Sequence, residues 1–270
     1  MRSLFRLDGR VAVVTGALGK LGPVWIESLL EAGAAVAGID LPGATISGYL
    51  KNIQDRAGEG KLALYRADIL NRDSLLEVRE RCLGELGAPS VLVNNAGVDQ
   101  PPGAAGKTYL FEEIPLEICS NIFEVNVLGA FQMVQLFGRD MVKERRGSII
   151  NIGSLYASVS PDSRLYDHIT CDPPFLKPPA YGSSKAALVN LTKYIAALWG
   201  PYGVRANVLS PGGVRGGQDQ EFIRKFCSRV PLGRMAEFRD LAGPLVFLAS
   251  GASSYVTGVE LKVDGGFTCW

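Results

Sequence analysis

Arg10-Val11-Ala12-Val13-Val14-Thr15-Gly16-Ala17-Leu18-Gly19-Lys20-Leu21-Gly22 is the stretch that decides the fold. Its first part is a short apolar, β-branched run that reads as a buried strand. Three glycines follow at once, and behind them an apolar helical pattern runs to Gly33. Strand, glycine loop and helix in that order form the setting in which such glycines bind a dinucleotide. They permit a tight turn and a close backbone approach, while the helix N-terminus faces the pyrophosphate. A glycine-rich turn with no ligand is the competing reading. The next apolar run, Ala35-Val36-Ala37-Gly38-Ile39, ends in Asp40. A carboxylate about 20 residues past the glycines is placed to accept hydrogen bonds from ribose hydroxyls.

Outward from this unit, short apolar strands alternate with helical stretches. Strands are expected near 11–15, 35–39, 62–66, 90–93, 147–152, 204–209 and 260–263, and helices near 20–32, 71–86, 115–143, 179–199, 216–228 and 238–249. That alternation predicts a parallel sheet covered on both faces. The fold class is therefore α/β: a single-domain, Rossmann-type, doubly wound parallel sheet of about seven strands, with helices on both faces and the ligand crevice outside the carboxyl ends of the strands. With 270 residues and 47% hydrophobic content the chain suits one large domain, 1–270, with a substantial core.

Charge and cysteine usage narrow the function classes. The 28 basic and 27 acidic residues leave a net charge of +1, which does not suit a nucleic-acid or membrane-surface protein. Cys82, Cys119, Cys171, Cys227 and Cys269 are odd in number and contain no Cys-x-x-Cys pair, so they read as free thiols in a reducing compartment and not as a metal site. The N-terminus carries no signal-peptide core, and no stretch approaches the roughly 20 apolar residues of a membrane span, so a cytoplasmic protein is expected.

A second chemical signature lies far downstream. Tyr181 and Lys185 are four residues apart in Tyr181-Gly182-Ser183-Ser184-Lys185, a spacing that shares one helix face. An ammonium beside a phenol favours the phenolate, which lets Tyr181 act as general acid or base. An exposed side-chain contact is the plainer alternative for such a pair.

With these residues in view the chain resembles the short-chain dehydrogenase/reductase family nearly end to end. Four more motifs carry the resemblance: Asn94-Asn95-Ala96-Gly97, Asn126 in Asn126-Val127-Leu128-Gly129, Ser154 behind the strand Ser148 to Ile152, and Ser210-Pro211-Gly212-Gly213-Val214. The resemblance implies that Tyr181 exchanges a proton with the substrate oxygen and Ser154 hydrogen-bonds that oxygen. Lys185 would lower the Tyr181 pKa and bind the nicotinamide ribose, and Asn126 would hold a water in the relay to solvent. It further implies cofactor contacts from Gly16, Gly19, Lys20, Leu21 and Gly22 at the pyrophosphate, from Asp40, from Asp68 and Ile69 near the adenine, from Asn95, Ala96 and Gly97 along the ribose, and from Pro211, Gly212, Gly213 and Val214 near the carboxamide. Asp68 could instead cap the helix beginning near Asn71.

Two departures matter. Lys20 stands where most relatives have the middle glycine, and its side chain either approaches phosphate or points to solvent. Ser154 and Tyr181 lie farther apart than in most relatives, so an inserted loop spans 161–179, rich in proline and polar residues and holding the only histidine, His168. Loops rooted at a crevice commonly shape substrate choice. The insertion and the ending Val263 to Trp270 are also similar to a bacterial subgroup associated with surface-sugar and nonulosonic-acid pathways.

The resemblance thus implies an oxidoreductase that interconverts a secondary alcohol and a ketone. Its cofactor would be NAD in preference to NADP because of Asp40, and the polar insertion suits a sugar-like or polyhydroxylated substrate. A 3-oxoacyl or simple ketone reductase, an NAD-using isomerase or dehydratase, and a non-catalytic nucleotide-binding regulator stay open. A homodimer or homotetramer is expected, built on the stretch from Pro115 to Val142 and the helix that carries Tyr181.

Overall fold

Seven parallel strands form one sheet in the order β3-β2-β1-β4-β5-β6-β7. They are β1 (Val11–Thr15), β2 (Ala35–Asp40), β3 (Leu62–Arg66), β4 (Pro89–Asn94), β5 (Gly147–Ile152), β6 (Val204–Pro211) and β7 (Glu260–Val263). The computed structural model describes residues 2–99 and 108–270. β1 and β5 are buried along their whole length, as strands covered on both faces must be. The winding reverses between β1 and β4, which opens a crevice at the carboxyl ends of the strands.

Among the described residues, eight α-helices flank the sheet: α1 (Gly22–Glu31), α2 (Gly48–Arg56), α3 (Arg72–Glu85), α4 (Leu116–Phe123), α5 (Ala130–Lys143), α6 (Pro179–Trp199), α7 (Gln220–Cys227) and α8 (Phe238–Ala249). On one face, Trp25, Ile26 and Leu29 of α1, Leu50 and Ile53 of α2, and Leu241, Leu245 and Leu248 of α8 pack together. On the other, Leu75 and Val78 of α3, Met133 and Phe137 of α5 and Ile195 of α6 do the same. Each such aliphatic or aromatic side chain contributes about 1.5–3 kcal/mol on burial. A third, smaller cluster joins Leu165 and Tyr166 of the 161–179 loop to Phe226 of α7 and Phe267. Its ion pairs Asp162–Arg229 and Asp167–Lys225 tie the same loop to α7 and the turn after it.

Three elements differ from the sequence-based expectation. α2 was not foreseen. It offers only two apolar anchors, Leu50 and Ile53, too few for a periodic signal, and it is started by Ser47, whose Oγ accepts from the Leu50 amide at 3.2 Å. The expected continuous helix over 115–143 is interrupted by a π-helical segment, Glu124–Gly129, where Gly129 presses against Ile69. Such bulges recur at functional sites, and this one carries Asn126. The helix expected from 216 begins only at Gln220, because Asp219 caps it by accepting from the Phe222 amide at 2.8 Å. Among the described residues no helix is long and apolar enough to cross a membrane.

Candidate active site

The glycine loop is held by a small polar lattice. Thr15 Oγ1 accepts from the amides of Asn95 and Ala96 at 3.1 and 3.0 Å. Asn95 Nδ2 donates to the carbonyls of Thr15 and Gly16, both at 3.0 Å, and Asn95 Oδ1 accepts from the buried Trp25 indole at 2.7 Å. The Asn95 side chain therefore binds the loop to the end of β4. Gly16 has a φ of +61°, and a Cβ there would come within 2.9 Å of Asn95 and Ala96, so only glycine fits. No side chain caps the start of α1 and its first turn holds no acidic residue, which leaves a helix N-terminus suited to an anion.

This loop borders a cleft of about 650 Å³ at the carboxyl ends of the strands. Gly16, Gly19, Lys20 and Leu21 line it, as do Asp40, Ile69, Asn95, Ala96, Gly97, Tyr181 and Val214. Asp40 closes the end of β2, accepting from the Leu18 amide at 2.7 Å and the Leu41 amide at 2.8 Å. A carboxylate has about four acceptor positions, so it keeps capacity for ribose hydroxyls. Lys20 Nζ donates to the Gly216 carbonyl at 3.3 Å, reaching the loop after β6. A nucleotide fits this donor and acceptor set.

Six predicted cofactor residues lie outside the lining, Lys185 among them. Gly22 sits against the carbonyls of Gly16 and Ala17, where any Cβ would clash. The Asp68 carboxylate accepts from the Leu70 amide at 2.9 Å, and Asn71, not Asp68, caps α3 by accepting from Ser74 at 3.0 Å. Pro211 ends β6 beside Val263, while Gly212 and Gly213 border a separate groove with Asp264 and Phe226. Leu18, Leu41, Asp99 and Arg215 line the cleft without having been singled out. Only Asp99, two residues past Asn94-Asn95-Ala96-Gly97, carried a usable signal.

The four catalytic candidates converge. Tyr181 and Lys185 lie near the start of α6, Ser154 just past β5 and Asn126 in the π segment. The Ser154 hydroxyl lies near enough to the Tyr181 phenol to favour its phenolate. It also accepts from the Tyr156 amide at 3.2 Å and so caps a 3-10 turn. Asn126 is buried: its Oδ1 accepts from the Val98 amide at 2.8 Å, and its Nδ2 donates to the Val98 carbonyl at 3.1 Å and to Ser184 Oγ at 3.0 Å. It pins the strand end that carries Gly97 to α6. Beneath them, Asn94 donates to Asn151 and Asn151 to Thr192 of α6, both at 2.8 Å, a buried polar chain from β4 through β5 to that helix.

The electrostatics correct one expectation. The helical spacing predicts that Lys185 lowers the Tyr181 pKa, yet in the free protein the phenol is held above its ordinary value. Burial is the larger cause and the Asp99 charge adds to it, while the nearby Ser154 hydroxyl opposes both. Lys185 is itself only 5% exposed, and burial lowers its pKa to about 8 against a weaker opposing pull from Asp99. Its Nζ donates to the Ile152 carbonyl at 2.8 Å and stands 5.8 Å from the Tyr181 ring centre.

A second lysine comes closer. Lys177, from the 161–179 loop, places Nζ 4.9 Å from the Tyr181 ring centre and 5.6 Å from that of Tyr156, and pairs with Asp99 Oδ2 at 2.6 Å. Tyr156 meets Tyr181 edge-on with ring centres 6.5 Å apart, and its hydroxyl lies 3.4 Å from that of Tyr166. The 161–179 loop thus brings Lys177 against the Tyr181 ring.

Comparison with known proteins agrees with this geometry. Residues 21–268 match the family model described as enoyl-(acyl carrier protein) reductase. The chain is 32% identical to galactitol 2-dehydrogenase of Rhizobium johnstonii over 98% of each protein. Among solved structures it is similar to a gluconate 5-dehydrogenase from Burkholderia cenocepacia in complex with NADP and tartrate, with a TM-score of 0.84, 29% identity and coverage of 100% of this chain and 99% of that one. It is also similar to a short-chain dehydrogenase from Leptospira borgpetersenii with bound NAD+, with a TM-score of 0.82, 31% identity and coverage of 97% and 94%.

Proposed function

The chain belongs to the short-chain dehydrogenase/reductase family, and from that premise we propose that it is an NAD-dependent dehydrogenase interconverting a secondary alcohol and a ketone on a polyhydroxylated substrate. The observation that carries the reading is the convergence of Ser154, Tyr181 and Lys185 at the edge of the nucleotide cleft, with Asn126 bonded to Ser184 on the helix that bears Tyr181. A regulator that only binds nucleotide has no physical need for that arrangement. The polyol assignment is supported by the likeness to a galactitol dehydrogenase and by the polar side chains that the inserted loop brings to Tyr181.

The glycine loop and Asp40 would hold the nicotinamide nucleotide, which would supply the hydride acceptor for oxidation and the hydride donor for reduction. Ser154 Oγ, near the phenol, holds the substrate oxygen beside Tyr181. Tyr181 takes the hydroxyl proton from that oxygen during oxidation and gives it back during reduction. Because burial disfavours its phenolate, Tyr181 needs a cation to share the developing charge, and Lys185 provides it from the same helix face. Lys185 also donates to the nicotinamide ribose. Asn126 keeps Gly97 and α6 in register and holds the water through which Lys185 exchanges protons with solvent.

Asp40 supports NAD over NADP, since its carboxylate accepts from ribose hydroxyls and repels a 2′-phosphate. Exposed apolar residues on the outer sides of α5 and α6, among them Phe131 and Tyr194, support a homodimer or homotetramer. Five free cysteines fit a reducing, cytoplasmic setting. The test is to mix the protein with NAD and a panel of polyols and secondary alcohols and to follow nicotinamide absorbance. Formation of NADH with a matching ketose is expected. No NADH with any secondary alcohol, and no consumption of NADH with any ketone, overturns the reading.

A further inference from the structure

Three arginines gather at the amino ends of the strands. Arg10 directly precedes β1, Arg146 directly precedes β5, and Arg205 is the second residue of β6. The strands are parallel, so this end lies opposite the one that carries Gly16, Ser154 and Pro211. With Ser254 and Thr257 the three arginines line a cavity of about 540 Å³ whose described lining holds no acidic residue. Arg205 Nη2 donates to the carbonyls of Leu248 and Ser250 at 2.8 and 3.1 Å, and its Nη1 to that of Val256 at 3.3 Å. Arg10 Nη1 donates to the Ala249 carbonyl at 3.3 Å. All of these acceptors are neutral main-chain oxygens. Among the described residues no carboxylate pairs with any of the three arginines, and the Arg146 side chain has no hydrogen-bond partner. A guanidinium carries five N–H donors, so each keeps donors to spare. Burial, and after it the Arg10 charge, lowers Arg205 to about 10, while burial and the Arg146 charge lower Arg10. The cations thus repel one another, and half-buried like charges without a counter-charge are costly to hold.

We propose that the cavity lined by Arg10, Arg146 and Arg205 is a second binding site, remote from the nucleotide cleft, that takes the phosphate group of a small anionic molecule. A phosphate carries more than one negative charge and three or more acceptor oxygens, which suits several guanidiniums at once. The planar arginine fork matches two such oxygens together. A single carboxylate would leave the three cations under-neutralised. The cluster is not a sample of a generally basic surface, because the whole chain balances 28 basic against 27 acidic residues. Its volume falls within the range of about 300–1,000 Å³ usual for small-molecule sites, so it admits a phosphate alone or one borne on a small metabolite. The site is independent of the dehydrogenase reading and adds to it.

The experiment titrates inorganic phosphate, D-glucose 6-phosphate and acetate into NADH-saturated protein by calorimetry at low ionic strength, where charge attraction is least screened. Saturation with NADH fills the nucleotide cleft, which would itself attract phosphate. The parent should bind at least one of the two phosphate compounds saturably at one site, and acetate at least about tenfold more weakly. Arg10→Gln and Arg146→Gln should each weaken phosphate binding at least about tenfold, since each removes a charged donor. Arg146 is exposed and unbonded, so its variant keeps the test open if loss of the Arg10–Ala249 bond disturbs folding. Lys51→Gln removes the same charge from the surface of α2, away from the cavity, and should leave affinity within about twofold. Tighter binding of glucose 6-phosphate than of inorganic phosphate supports a phosphorylated metabolite as the occupant, and the reverse order supports free phosphate. The inference is overturned by a parent that binds neither phosphate compound, by acetate binding as tightly as phosphate, or by unchanged affinity in both arginine variants. An equal loss in Lys51→Gln also overturns it, because the attraction would then belong to overall charge.

Discussion

Lys185 donates to the main-chain oxygen of Ile152 at 2.8 Å and stands 5.8 Å from the ring centre of Tyr181, four residues before it on the same helix. The shared face brings the two groups together, but in the free protein the ammonium is anchored to the end of β5. Its burial has a thermodynamic signature. With a folded pKa of about 8 against an ordinary value of 10.5, Lys185 is protonated in both folded and unfolded states below about pH 8, and the full burial cost is present there. As pH rises from there toward 10.5 the folded chain loses the proton first, so the unfolded chain binds more protons and stability increases. Lys185→Met lacks this contribution. Melting curves of cofactor-free protein should therefore show parent stability rising relative to Lys185→Met between about pH 7 and about pH 10, by at most about 3 kcal/mol. Parallel pH profiles for the two proteins would show that Lys185 keeps its ordinary pKa.

Tyr181→Phe removes one hydroxyl and leaves the ring that packs against Tyr156 and Lys177. Nucleotide affinity and melting temperature should stay near those of the parent, while turnover falls about 10²- to 10⁴-fold, the range for losing a general acid or base. Steady-state rates beside a nucleotide titration give the check. Turnover within a few-fold of the parent would transfer the proton to another group.

Much of this site was legible in the sequence because its residues sit at strand ends. The Thr15–Gly16, Asn94-Asn95-Ala96-Gly97 and Ser154 motifs each follow an apolar run, and the sheet order then brings them to one edge. Tyr181 and Lys185 were legible through helical spacing. Asp99 and Lys177 were not, because their partnership spans 78 residues and depends on how a proline-rich loop folds back. The π segment was hidden as well, since the contact that accompanies it, Gly129 against Ile69, joins residues far apart in the chain. The sign of the Tyr181 shift followed from desolvation, which no spacing rule contains.

The proposed subunit interface has exposed apolar residues to remove. Tyr194 is 66% exposed on α6 and Phe131 is 42% exposed on α5, apolar surface that a partner subunit would cover. The double variant Phe131→Glu, Tyr194→Glu should scatter light as a monomer at micromolar concentration, where the parent scatters as a dimer or tetramer. A monomeric parent would remove the interface. An oligomeric double variant would move it to another face.

Cofactor choice turns on Asp40 and the cations around it. Lys20 Nζ is drawn to the Gly216 carbonyl at 3.3 Å, and Arg66 Nη1 donates to the carbonyls of Leu41 and Ala44 at 3.2 and 2.7 Å. Both are therefore engaged by backbone oxygens. The Asp40 carboxylate lines the cleft and is fixed there by the Leu18 and Leu41 amides. A 2′-phosphate brought to it meets like charge, at a cost of several kcal/mol, whereas an exposed lysine returns roughly 1 kcal/mol or less. The parent should therefore bind NAD more tightly than NADP in parallel titrations. Asp40→Asn keeps an acceptor for one of the two amides and removes the charge, so the gap should narrow while the fold is retained. Asp40→Ala should narrow it too, and should also lower the melting temperature, because both amides lose their partner at about 1 kcal/mol each. Tighter binding of NADP by the parent would overturn the assignment. An Asp40→Asn variant with the gap unchanged would show that the selecting group lies elsewhere in the cleft.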